Sequence, residues 1–133
     1  MSTHATATFK IEGWDEQPYA EFEGGRKLTR ASVKQAISGD IEGEGAVEWL
    51  MCYRPDETAV FVALQRIVGR IGDRDGSFVM AQTDGTFDGK VARGRLAVVP
   101  GSATGELEGL RGTGEFSAPY GGQASISLAY DFD

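Results

Sequence analysis

The sequence predicts an all-β protein, a closed antiparallel eight-stranded meander barrel spanning residues 1–133 as a single domain. Three observations carry that reading. Neighbouring segments alternate in polarity: Val47-Glu48-Trp49-Leu50-Met51-Cys52-Tyr53, then residues 59–67, then residues 77–83. Glycine makes up 19 of 133 residues and recurs between the alternating segments, as turns and bulges require. Hardly any stretch holds a helical pattern, so a meander must dispose of its two edge strands, and closure does so.

Residues 6–14 alternate loosely through Phe9 and Ile11 and form the first strand. Asp15-Glu16-Gln17-Pro18 is expected to break it, and residues 19–23 to restart it briefly. Residues 26–37 mimic helical spacing through Leu28, Val33 and Ile37. Thr29, Ser32 and Val33 disfavour a helix, however, and Ser38-Gly39-Asp40 is a turn, so this segment reads as a strand. A three-residue loop there sets Ile37 opposite Ile41, Lys34 opposite Glu44 and Arg30 opposite Glu48. Glu48 then faces outward and Trp49 inward.

Pro55-Asp56-Glu57 closes the next hairpin, setting Met51 opposite Phe61 and Val47 opposite Gln65. A loop of Gly72-Asp73-Arg74-Asp75 sets Ile71 opposite Gly76, Ile67 opposite Met80 and Gln65 opposite Gln82. Asp88-Gly89 signals a tight turn into a strand over 90–99. Residues 100–105 interrupt the pattern, and 106–110 read as a short 3₁₀ or irregular crossing. Residues 112–118 and 123–133 make the last hairpin around Pro119-Tyr120-Gly121-Gly122. A two-sheet sandwich is the alternative architecture.

Strand side chains alternate between faces, so every second residue shares one. One face carries Trp49, Met51, Tyr53, Phe61, Gln65, Phe78, Met80 and Gln82, and later strands add Leu96, Leu128 and Tyr130. An apolar face with a few amides resembles the wall of a small-ligand cavity. These residues are the expected ligand contacts, with Gln65, Gln82 and Tyr53 the candidates for polarising a ligand oxygen. The competing reading is a filled core with two amides satisfying each other. The other face is not uniformly polar: Val60, Val62, Leu64, Val79 and Ala81 imply a cover, either the N-terminal segment or another subunit. A homo-oligomer is therefore expected.

Composition excludes several function classes. A net charge of −7 argues against a nucleic-acid partner. The single cysteine, Cys52, excludes an intramolecular disulfide and reads as a small buried hydrophobe on the outward parity. No signal-peptide pattern and no apolar run near the length of a membrane span is visible, so the expectation is a cytoplasmic chain with no membrane partner. His4 is the sole histidine, which leaves no cysteine–histidine nucleophile and no histidine metal site. Asp73-x-Asp75-Gly76 lacks the remaining ligands of a calcium loop and reads as turn chemistry. No metal and no cofactor is expected. Arg93 and Arg95 share the outward parity and should pair with acidic neighbours.

Several runs go beyond pattern: Tyr53-Arg54-Pro55-Asp56, Leu64-Gln65-Arg66-Ile67-Val68-Gly69, Asp75-Gly76-Ser77-Phe78-Val79, Gly85-Thr86-Phe87-Asp88-Gly89, and above all residues 101–112, Gly-Ser-Ala-Thr-Gly-Glu-Leu-Glu-Gly-Leu-Arg-Gly. With Val98-Val99-Pro100 they resemble, over nearly the whole chain, a bacterial domain-of-unknown-function family similar to the allene oxide cyclase-like barrel. The resemblance implies a central cavity for hydrophobic molecules, which some structural relatives cyclise. It also implies that relatives often hold a glutamate at the position of Gln65 and a histidine at that of Gln82. An amide does not titrate near neutrality, so neither residue serves here as a general base.

Three functions remain open from the sequence. The first is a barrel binding a hydrophobic small molecule, with a cyclase or isomerase acting by substrate templating as its catalytic form. The second is a non-catalytic carrier or sensor. The third is a structural oligomerising barrel without ligand.

Overall fold

The computed structural model describes residues 2–133. Nine strands follow one another: β1 (Thr3–Glu21), β2 (Lys27–Gly39), β3 (Ile41–Tyr53), β4 (Ala59–Ile71), β5 (Arg74–Phe87), β6 (Val91–Val98), β7 (Thr104–Gly105), β8 (Leu110–Pro119) and β9 (Ala124–Phe132). A single 3₁₀ turn, Glu23–Gly25, joins β1 to β2. The ladder runs β4-β3-β2-β1-β9-β8-β6-β5, and β5 pairs back onto β4 to close an eight-stranded antiparallel barrel. Two-residue β7 is an addition on β5.

Inward residues from all eight strands form one core, among them Phe9, Val33, Trp49, Phe61, Ile67, Phe78, Met80, Leu96, Phe116 and Leu128. The inward sets follow the period of two: Thr29, Ala31, Val33, Gln35 and Ile37 on β2 are all buried, and the residues between them are not.

The β3–β4 hairpin has the expected register, with Met51 opposite Phe61 and Val47 opposite Gln65. Two other hairpins differ from expectation. Between β2 and β3, Ile37 faces Gly43, Lys34 faces Ala46 and Arg30 faces Leu50. The intended loop residues are drawn to flanking strands instead: Gly39 pairs with Ala7, the Asp40 N–H donates to the Thr6 carbonyl, and Ile41 pairs with Ile71. Arg30 still reaches Glu48 diagonally, at 2.6 Å.

Between β4 and β5 the turn is tighter than a four-residue loop. Gly72 takes φ 60° and Ile71 faces Arg74, so Ile67 faces Phe78, Gln65 faces Met80, and Ala63 faces Gln82. Both corrections shift the pairing by an even number of residues, so every side chain keeps its expected face.

β1 does not break at Asp15-Glu16-Gln17-Pro18. It continues over 19 residues and absorbs the segment through register shifts at Ile11/Gly13 and Pro18/Ala20. Past Phe9 its ladder partner is β2 alone, so a proline with no N–H to donate is tolerated there. The N-terminal segment thus lies within the barrel wall between β2 and β9, and does not cover the outer face. Leu50, Val60, Val62, Leu64 and Val68 stand exposed on that face. Cys52 lies there too, half-buried rather than buried.

Residues 101–112 close one end of the barrel. The Ser102 hydroxyl hydrogen-bonds the Val79 backbone, and the Thr104 and Ser77 hydroxyls share a 2.7 Å hydrogen bond. Leu107 is fully buried under this strap. Gly76 is indispensable to it, because a Cβ there would stand 2.0 Å from the Thr104 carbonyl oxygen. The most distinctive stretch of the sequence is therefore a structural plug. Arg95 approaches Asp84 at 3.8 Å on the outer face.

Candidate functional site

At the end opposite the plug the barrel opens into a cavity of about 600 Å³. Its wall is aromatic: Phe9 and Trp14 from β1, Trp49 and Tyr53 from β3, Phe61 from β4 and Phe87 from β5. Met51, Ala92, Ala118 and Ala124 fill the gaps between rings, and the β8–β9 turn carries Tyr120 and Gln123 at the lip. Trp14 and Trp49 meet with ring centroids 5.2 Å apart, and Trp49 meets Phe61 at 5.8 Å. The tilted rings are the arrangement that aromatic quadrupoles favour.

Beneath Trp49 the barrel is filled. Three glutamines form a chain there: Trp49 Nε1–H donates to Gln82 Oε1 at 2.6 Å, Gln82 Nε2 donates to Gln65 Oε1 at 3.3 Å, and Gln65 Nε2 donates to Gln35 Oε1 at 2.6 Å. Chemistry fixes the direction. The indole N–H can only donate, so Gln82 must offer its oxygen, which commits its nitrogen to Gln65, and so on down the chain. No buried side-chain nitrogen or oxygen among the described residues lacks a partner.

Of the residues the sequence marks as ligand contacts, Trp49, Met51, Tyr53 and Phe61 line the cavity. Gln65 and Gln82 lie below it in the amide chain, with Phe78, Met80, Leu96 and Leu128 packed in the core. Tyr130 is at the plugged end, edge-on to Phe132 at 6.0 Å. Sequence reasoning missed Gln35, although it occupies the inward parity of β2 between Val33 and Ile37 and was open to the same every-second-residue test. Trp14 ends the first strand that the sequence predicts, where alternation alone assigns it no role. Glu16 falls in the segment that the sequence reads as a break.

Glu16 organises the rim. Its carboxylate accepts from the Tyr53 hydroxyl at 2.7 Å, from the Thr29 hydroxyl at 2.7 Å and from the Trp14 indole N–H at 3.3 Å. Pairing of β1 with β2 across Glu16–Ala31 and of β2 with β3 across Thr29–Met51 brings these groups together. Burial, then the hydrogen bond to Glu16 and its negative charge, push the Tyr53 phenol well above the usual tyrosine range. Lys27 Nζ sits 4.9 Å from the centroid of the Tyr53 ring. No group of three or more metal-ligating side chains occurs among the described residues.

The family model described as "Protein of unknown function (DUF3224)" matches residues 5–130. The chain belongs to that family. A crystal structure of a DUF3224 protein of unknown function from Shewanella oneidensis MR-1 is similar, with 31% identity and a TM-score of 0.81, covering 100% of this chain and 99% of that one. No curated protein matches. No helix among the described residues is long and apolar enough to cross a membrane.

Proposed function

We propose that this DUF3224 protein binds a hydrophobic small molecule in the cavity at the barrel mouth. The observation that carries the reading is the cavity itself, about 600 Å³ and walled by aromatic rings. Small-molecule sites are typically of this size and character, roughly 300–1,000 Å³ and mostly apolar. Resemblance to the allene oxide cyclase-like barrel implies a ligand in a central cavity; here the centre is packed, and the space lies at the mouth instead.

The wall's chemistry favours a carrier or sensor over a templating cyclase or isomerase. Gln65 and Gln82, the amides expected to polarise a ligand oxygen, have their hydrogen bonds taken up by each other, Trp49 and Gln35. Tyr53 is held protonated by its surroundings, which makes it a poor acid at neutral pH. What remains for catalysis is shape alone.

Both tryptophans of the chain, Trp14 and Trp49, line the cavity, so intrinsic fluorescence reports on it directly. Titration with polyenes, fatty acids and aromatic probes should give saturable quenching with one site per chain. Flat titrations with every probe, and native mass spectra free of retained ligand, would leave the ligand-free structural barrel as the reading. The exposed stripe of Leu50, Val62, Leu64 and Val68 supports a second proposal, that copies of the chain associate through this face. Sedimentation of the purified protein checks it.

A further inference from the structure

Resting on that reading, we propose that the ligand of the mouth cavity is an organic cation, an apolar body bearing an alkylated ammonium, held by π-faces and by the charge of Glu16. The charge the wall prefers follows from which way its protons point. Apart from Lys10 and Tyr120, which stand exposed at the lip, four side chains of the wall could offer a polar hydrogen: Trp14, Trp49, Tyr53 and Gln123. Each has already given it to the protein. Trp14 and Tyr53 donate to the Glu16 carboxylate, Trp49 donates to Gln82, and Gln123 Nε2 donates to the backbone carbonyls of Phe9 and Ala124.

The wall therefore presents ring faces, the Tyr53 oxygen as an acceptor, and the Gln123 amide oxygen. Aromatic faces carry the negative lobe of the ring quadrupole, so all three kinds of surface are electronegative. Behind them stands Glu16, which has three neutral donors and no salt bridge among the described residues. A desolvated organic cation suits such a surface, and recognition of quaternary ammonium groups by aromatic cages uses the same physics.

The protein already displays this preference once, since the Lys27 ammonium sits over the Tyr53 ring. Two features at the lip face water: Lys10 is solvent-exposed, and Tyr120 is 90% exposed. Lys10 is the one cation among the lining residues, and Lys27 lies over the Tyr53 ring, so the sign of the ligand charge is a real choice between Glu16 and these lysines. Screening decides it: Lys10 lines the cavity but stands in water, whereas Glu16, just outside the lining, is half-buried and anchored by two residues of the aromatic wall.

Three probes of nearly one shape make the test: benzyltrimethylammonium, its neutral isostere neopentylbenzene, and benzylsulfonate. Tryptophan quenching measures each dissociation constant. The cation should bind at least about tenfold tighter than the neutral probe, a size of effect within reach of desolvated cation–π contacts. Glu16→Gln should shrink that ratio severalfold, whatever it does to the neutral probe's own affinity. Tyr53→Phe, which keeps the ring and loses the oxygen, should weaken the cation severalfold and gives an independent readout if Glu16→Gln folds poorly. Equal affinities for cation and neutral probe, or tightest binding of benzylsulfonate, overturn the inference while the binding reading stands. Failure of all three probes to saturate overturns both.

Discussion

Substituting the middle of the amide chain should cost more than substituting all of it. In Gln65→Met the length and volume of the side chain are nearly kept, so packing changes little. Two hydrogen bonds disappear, and two buried groups are left without partners: Gln35 Oε1, which accepted at 2.6 Å, and Gln82 Nε2, which donated at 3.3 Å. Each orphaned group costs about 1–3 kcal/mol, which places the variant roughly 2–6 kcal/mol below the parent. The long Gln82 contact argues for the lower half of that interval. Set against a total stability of about 5–15 kcal/mol, this is a large loss. The triple variant Gln35→Met/Gln65→Met/Gln82→Met leaves a single orphan, the Trp49 indole N–H. It should therefore be more stable than the single variant, a reversal of additivity that marks a connected network. Urea titration of parent, single and triple variants measures all three free energies. A single-variant cost under about 1 kcal/mol, or a triple variant worse than the single, would refute the reasoning.

Other consequences are equally direct. Tyr53 should remain protonated beyond the usual tyrosine range, as read by phenolate absorbance, and Tyr53→Phe should remove that late step. Because its folded-state pKa is raised, the stability it contributes is complete below the unfolded tyrosine pKa of about 10 and falls as pH rises above it, which urea midpoints at pH 9 and 11 would show. Leu107→Ala should cost about 2–5 kcal/mol by hollowing the plug under β7, with thermal denaturation as the measure. Val62→Glu, on the exposed stripe, should leave the melting temperature nearly unchanged and abolish any self-association seen by sedimentation.

How far the sequence could be read depended on which geometric variable carried each feature. Polarity alternation placed Trp49, Phe61, Gln65 and Leu128 on the inner face correctly, because a face depends only on odd or even position. Opposition across strands depends on turn length, and turn length depends on what the loop residues touch. Gly39, Asp40 and Ile41 look like a free turn until β1 and β4 claim them. Pro18 looks like a break until β1 proves to have an edge that tolerates it.

The sequence by itself determined an all-β chain, the eight strands of its barrel, and an apolar inner face bearing amides. It could not determine where along that inner face the barrel is full and where it is empty. That depends on strands remote in the chain, since the plug of residues 101–112 fills one end while Trp14 and Glu16, seated by the unbroken β1, shape the other. The two glutamines on the apolar face consequently belong to the packed interior, joined through Gln35 and Trp49 into a satisfied chain. The charge that marks the rim comes from a residue whose neighbours in sequence gave no sign of it. Alternation is local and survives without the fold, whereas cavities and hydrogen-bond partners are set by long-range closure.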